Sequence, residues 1–220
     1  MGTRHVAVID PGTQVAERDC FSRMERGSPI PLTYHLPAIE GLDSLYAVEA
    51  DVAGVVMFGS GASVHDPLAW QDALSAWLKP RAERGLPVLG LCYGHQLLAH
   101  LFGGEIDFLF EDHRKLRGYR DVHLEENRLW GAACSGPLVV SHREAVVGCP
   151  AGFDVVGSTQ ITQIEAIAHR DLPLWGLQAH PEATAEFLTN NAMPIAPDEE
   201  AFAFGHAIVD AFLSFVGSRD

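Results

Sequence analysis

Three short stretches of this chain carry residue types that can do chemistry together. The first is Gly90-Leu91-Cys92-Tyr93-Gly94-His95-Gln96. The apolar run Leu86-Pro87-Val88-Leu89 ahead of it reads as a buried strand. Gln96-Leu97-Leu98-Ala99-His100-Leu101-Phe102 behind it reads as a helix that stops at Gly103-Gly104. A nucleophile between two glycines at a strand-to-helix turn is a nucleophile elbow, here with Cys in place of Ser. The glycines are needed because a Cβ at either position would crowd the neighbouring strand and helix. The helix N-terminus offers free N–H groups and partial positive charge, which favour a thiolate at Cys92.

A thiolate nucleophile needs a base, and the base needs a group to orient it. The second stretch, Ala179-His180-Pro181-Glu182, supplies both. His180 follows a predicted strand, and Pro181 stiffens the turn that sets Glu182 against the second imidazole nitrogen. The third stretch is Gly59-Ser60-Gly61, after another predicted strand. With the N–H of Tyr93 in the elbow, its backbone N–H groups are candidates to hold an oxyanion. His95 lies inside the elbow but has no carboxylate nearby in sequence, so it is set aside as a base. His100, His113, His123, His169 and His206 read as surface or partly buried residues without chemistry. No metal-ligand spacing is present, and no cofactor is expected.

The elements that must position these residues follow an α/β pattern. His5 to Ile9, Ile30 to Leu36 and Gly54 to Phe58 read as strands, with a helix over Gln14 to Arg26. Leu45 to Val48 and Asp51 to Ala53 form a short connector. Asp66 to Glu83 is amphipathic, with Trp70, Leu74, Trp77 and Leu78 at helical spacing and Pro67 near its start. The order β-α-β-β-α-β-α predicts a mostly parallel sheet covered by helices on both faces, a three-layer sandwich. Short strands follow over Gly104 to Leu109, Arg120 to Leu124, Leu138 to Ser141, Ala145 to Val147, Phe153 to Val156 and Ile164 to Ala168. Leu174 to Gln178 is the strand that leads to His180. Thr189 to Pro197 reads as a polar loop. Asp198 to Val216 reads as a closing helix with an acidic first turn, Asp198-Glu199-Glu200.

The 220 residues fit one domain spanning 1–220, burying about 70% of its unfolded surface. The formal net charge of −14 argues against a nucleic-acid surface and against anionic membranes. The four cysteines match neither a zinc pattern nor a disulfide scaffold, which favours a reduced, cytoplasmic setting. No signal peptide and no membrane-spanning stretch is expected.

Together the Gly59-to-Val64 loop, the Cys92 elbow and the His180-Pro181-Glu182 turn, in that order, resemble class I (triad) glutamine amidotransferases. The resemblance runs from about Val6 to Glu182 and implies the flavodoxin-like fold of that family. It implies that Cys92 attacks the γ-carboxamide of glutamine, that His180 protonates the departing ammonia, and that a γ-glutamyl thioester forms. It implies that Gln96 helps hold the substrate and that the backbone of Ser141-His142 binds the α-amino and α-carboxylate groups. The elbow and Ser141-His142 are most similar to the glutaminase domain of GMP synthetases. They are also similar to free-standing proteins of the family, including γ-glutamyl peptidases. Two departures stand out: the family's Gly-Gly-Pro is Gly59-Ser60-Gly61 here, and the usual aromatic residue before the histidine is Ala179, which predicts a more open pocket. The long segment Ala183 to Pro197 is placed to cover the site or shape its specificity. The chain leaves no room for a synthetase domain and has no Ser-Gly-Gly-x-Asp-Ser motif. The expected partner is therefore glutamine or a γ-glutamyl small molecule, joined by an ammonia-accepting synthetase if the chain serves one as its glutaminase. The remaining reading is a non-catalytic, regulatory member of the fold.

Overall fold

Val6, Ala7, Val8 and Ile9 are all completely buried, which requires a strand covered on both faces. The computed structural model describes residues 2–193 and 199–219. Its elements are β1 (His5–Ile9), α1 (Arg18–Gly27), β2 (Leu32–His35), α2 (Pro37–Glu40), α3 (Asp43–Tyr46), β3 (Val52–Met57), α4 (Ala69–Glu83), β4 (Val88–Leu91) and α5 (Tyr93–Leu101). They continue with β5 (Glu105–Phe108), β6 (Leu116–Leu124), β7 (Cys134–His142), β8 (Glu144–Gly148), β9 (Phe153–Ser158), β10 (Ala166–His169), β11 (Leu174–Leu177), α6 (Ala185–Asn190) and α7 (Ala203–Gly217). Among these described residues no helix is long and apolar enough to cross a membrane.

A nine-stranded sheet runs in the order β2-β1-β3-β4-β11-β10-β9-β6-β7, with β5 and β8 paired separately. The half from β2 to β11 is parallel, and the half from β11 to β7 is antiparallel. The three-layer α/β sandwich is as the sequence predicts, with the parallel pairing confined to the half from β2 to β11. On one face Val6, Val8 and Trp175 pack with Met24 of α1 and Phe212 of α7. On the other, Ala7, Ile9 and Val55 pack with Leu74 of α4 and Leu97 of α5. In such sheets ligands bind at the carboxyl ends of the parallel strands. Asp10, Gly59, Cys92 and His180 all lie just past those ends.

Several boundaries differ from the sequence reading. The helix expected from Asp66 begins at Ala69, leaving Pro67 outside it, and contains Pro80. Strand β6 starts at Leu116 rather than Arg120, because its polar first half pairs along β7. The polar loop expected over Thr189 to Pro197 is in part helix, since α6 runs to Asn190 with Thr184 capping it through the Phe187 N–H. The closing helix begins at Ala203 after a 3-10 turn over Glu199–Phe202, so its acidic residues precede it. Asp198 and Pro197 lie outside the described residues.

The elbow glycines have separate steric reasons. A Cβ on Gly90 would meet the backbone of Gly94, and one on Gly94 would sit 2.5 Å from the Met57 carbonyl oxygen of β3. Backbone cannot yield as a side chain tip would. Gly94→Ala is expected to cost about 1–3 kcal/mol, or roughly 2–4 °C in Tm per kcal/mol for a chain of this size. Thermal unfolding of the variant tests it, and an unchanged Tm would mean that α5 can move off β3.

Candidate active site

Cys92 sits between β4 and α5 with φ 52° and ψ −102°. Such a conformation is costly for a residue with a Cβ and persists only when its surroundings hold it. Here the Cys92 N–H donates to Leu177 O of β11 at 2.8 Å, and Cys92 O accepts from Gln96 N at 3.0 Å. The amide of Cys92 is thereby used up. Tyr93, as the first helical residue, has no preceding turn to take its N–H. The Tyr93 ring is buried in the other core, 5.9 Å from Trp70, so only its backbone serves the site.

His180 lies three residues past the end of β11, the strand that pairs with β4. Its N–H donates to Val139 O of β7 at 2.7 Å. Its Nδ1 donates to Oε1 of Glu182 at 2.9 Å, and the two side chains are only 5% and 1% exposed. The Cys92 sulfur acts on the ring electrostatically, and both side chains border one cavity. Phe187 of α6 lies against the His180 ring, centroids 4.6 Å apart. Burial alone would push the imidazole down, but the Cys92 sulfur and the Glu182 carboxylate outweigh it and raise it from 6.5 to about 10. The proton on His180 therefore stabilises the fold fully below pH 6.5, and that contribution is lost as pH rises through about 10. Nitrogen-15 NMR of the His180 ring should show this titration. In Glu182→Gln one supporting anion is gone, so the midpoint should fall; an unmoved midpoint would mean that the carboxylate does not hold the proton.

The Gly59-Ser60-Gly61 loop lies against the same pair. A Cβ on Gly59 would be 2.6 Å from His180 Cε1 and 3.4 Å from Cys92 Cβ. Ser60 Oγ donates to Pro11 O at 2.7 Å and accepts from Ala62 N at 3.1 Å. The serine thus anchors the loop beside Cys92 and His180.

Two cavities meet at Cys92. One, of about 300 Å³, is bordered by His180, Glu182 and Gly59, and reaches to Asp10, Glu17 and Asn190. The other, of about 440 Å³, reaches to Gln96, His142 and Asp66. Ser60, Gly61, Ser141, Lys115 and Arg143 border both. Ser141 Oγ is buried with no hydrogen-bond partner, so it is available to a ligand. His142 is buried, donates from Nδ1 to Glu144 O at 2.9 Å, and is lowered to about 4 chiefly by burial. His95 borders neither cavity; it is fully buried, which brings it to about 3. Ala179 is also fully buried and borders neither.

Sequence reasoning missed several residues. Gln178 is fully buried. Its Oε1 accepts from Gln96 Nε2 at 3.2 Å, and its Nε2 lies 3.7 Å from Cys92 Sγ as a donor. Gln96 Nε2 also donates to Glu144 O at 2.7 Å, so Gln96 is fixed within the wall. Asp10 accepts from Gly12 N, Glu17 N and Tyr34 Oη, which shapes the loop after β1. Glu17 in turn accepts from Asn190 and Asn191 of α6 at 3.0 and 3.1 Å. Lys115 and Arg143 bring positive charge beside Cys92. In sequence only Asp10 of these has a partner within a turn, the N–H of Gly12.

The family model for glutamine amidotransferase class-I matches residues 8–192. The chain belongs to the class I glutamine amidotransferases. It is 31% identical over 179 residues to the GMP synthase [glutamine-hydrolyzing] of Listeria monocytogenes, covering 80% of this chain and 32% of that protein. It is 35% identical over 114 residues to a GMP synthase [glutamine-hydrolyzing] subunit of Methanococcus aeolicus, covering 48% of this chain and 58% of that one. The amidotransferase thus spans about a third of the length of its Listeria relative. In fold it matches the glutamine amido transferase of Methylobacillus flagellatus with a TM-score of 0.73, at 20% identity, over 97% of this chain and 94% of that one.

Proposed function

We propose that this amidotransferase hydrolyses the γ-glutamyl C–N bond of glutamine or a γ-glutamyl compound through Cys92, His180 and Glu182. The observation that carries the reading is His180, with a carboxylate at 2.9 Å on Nδ1, bordering the same cavity as a strained elbow cysteine. The Cys92 thiolate attacks the γ-carbonyl carbon, and the oxyanion is received by the N–H groups of Tyr93 and the Gly59–Gly61 loop. His180 gives its proton to the nitrogen, the C–N bond breaks, and a γ-glutamyl thioester remains on Cys92. Water then loses a proton to His180 and attacks the thioester, which releases glutamate and restores the thiolate. Glu182 keeps the imidazole oriented and supports its charge. Gln96 and His142, which border the second cavity alone, receive the glutamyl portion together with Ser141, which borders both. Residues 1–220 act as a single amidotransferase domain, in a cytoplasmic setting that keeps Cys92 reduced.

A second reading is a glutaminase that passes ammonia to a synthetase, and the likeness to GMP synthases of which this chain matches one part favours it. Glutamate release by the purified chain, on glutamine and on γ-glutamyl amides, decides between them. Turnover without a partner supports an independent hydrolase. Labelling of Cys92 by a glutamine-mimicking electrophile with negligible turnover supports the partner-dependent glutaminase. Neither labelling nor turnover would leave the regulatory reading.

A further inference from the structure

If the thiolate of Cys92 attacks a γ-glutamyl carbonyl, the two cavities that meet there have different tasks. This follows from the proposed reaction and rests on it. The departing nitrogen must lie beside the group that protonates it, His180. Of the two cavities, His180 borders the one of about 300 Å³, whereas Gln96 and His142 border the other. The first cavity is therefore the leaving-group side. Ammonia needs no more than about the 30 Å³ that one water occupies. The cavity as a whole is an order of magnitude larger, and it runs on from Cys92 and His180 to Glu17 and Asn190.

Its walls are also specific in charge. Asp10 and Glu17 border this cavity alone. Among the described residues neither makes a salt bridge; their partners are Tyr34, two backbone N–H groups, Asn190 and Asn191. Glu182, 1% exposed, has a second oxygen, Oε2, with no hydrogen-bond partner. The positive groups Lys115 and Arg143 border both cavities and so stand at the Cys92 end. A ligand reaching away from Cys92 past His180 meets carboxylates and amide side chains.

We propose that the physiological leaving group is an amine larger than ammonia that carries a second, protonated amino group, so that the substrate is a γ-glutamyl amide of a diamine-like compound. The distal ammonium lies toward Glu17 and Asp10. The overall step is γ-glutamyl–NHR plus water giving glutamate plus H₂NR. The C–N bond breaks as His180 delivers its proton to that nitrogen, and the neutral amine departs. The C–S bond made to Cys92 is broken by the water, whose proton returns to His180.

The test is glutamate release from glutamine, the γ-glutamyl amide of n-butylamine, and the γ-glutamyl amide of 1,4-diaminobutane. The last two share a four-carbon chain and differ in the charged terminal amino group. The diamine amide is expected to show kcat/KM at least about tenfold above both others, as electrostatic selection of one charge typically allows. In Glu17→Gln the ratio of diamine to butyl amide should fall about tenfold. Asn190→Lys, at an exposed position on the same wall, should lower that ratio too and serves if Glu17→Gln does not fold. Equal rates on the two alkyl amides would overturn the assignment of charge. Cleavage of glutamine alone would overturn the larger leaving group and leave the glutaminase reading standing. No cleavage of any compound by the wild-type chain would remove the reaction on which the inference rests.

Discussion

Cys92→Ala should release no measurable glutamate, a loss of roughly 10⁴–10⁶-fold, the range seen when a nucleophile of this type is removed. The reason is chemical rather than structural. The side chain is 5% exposed and small, and the backbone bonds that hold the elbow, Cys92 N to Leu177 O and Gln96 N to Cys92 O, do not involve sulfur. The variant should therefore melt close to the parent. It also removes the anion that, with Glu182, keeps His180 raised, so the imidazole should return toward neutrality at lower pH. Residual hydrolysis near the parental rate would place the nucleophile elsewhere.

Gly59→Ala should be the most damaging change that leaves all three reacting side chains in place. Its new Cβ would stand 2.6 Å from His180 Cε1, inside contact distance, and the ring cannot retreat freely. Glu182 holds one edge, Phe187 covers a face, and the backbone is tied to Val139. The ring must tilt, and proton transfer to the leaving nitrogen suffers. A fall in turnover of about 10²–10⁴-fold is expected, the worth of general acid–base catalysis. Gly61→Ala makes a useful contrast, since its Cβ meets only Thr13 Oγ1 at an ordinary 3.7 Å, and its loss should be far smaller. Equal losses would mean that the loop acts through its flexibility rather than through contact with His180.

How far the sequence reveals this site depends on whether a residue's partner is near it in the chain. Gly90, Cys92 and Gly94 are legible because the whole elbow fits in five residues between a strand and a helix. His180 and Glu182 are legible because Pro181 joins them. The parallel half of the sheet is legible from runs such as Val6 to Ile9, apolar on both faces. Helix α6 is not, because its six residues are too few to show a helical period, and its cap at Thr184 resembles any loop threonine. The first half of β6 is hidden in the same way, since Arg117 to Arg120 is polar and paired only through β7. Gln178 cannot be singled out at all: its meaning lies in Gln96 and Cys92, both more than eighty residues away.

The bonds from Glu17 to Asn190 and Asn191 join segments 173 and 174 residues apart. Neither segment shares a strand ladder with Cys92 or His180. In the proposed reaction bond cleavage is built on residues that follow β4 and β11, while the far wall of the cavity assigned to the leaving group comes from a loop and a short helix. Changes to those two pieces need not disturb sheet register. On the proposed reaction, the choice of departing amine is in that sense a detachable module, separate from the residues assigned to scission.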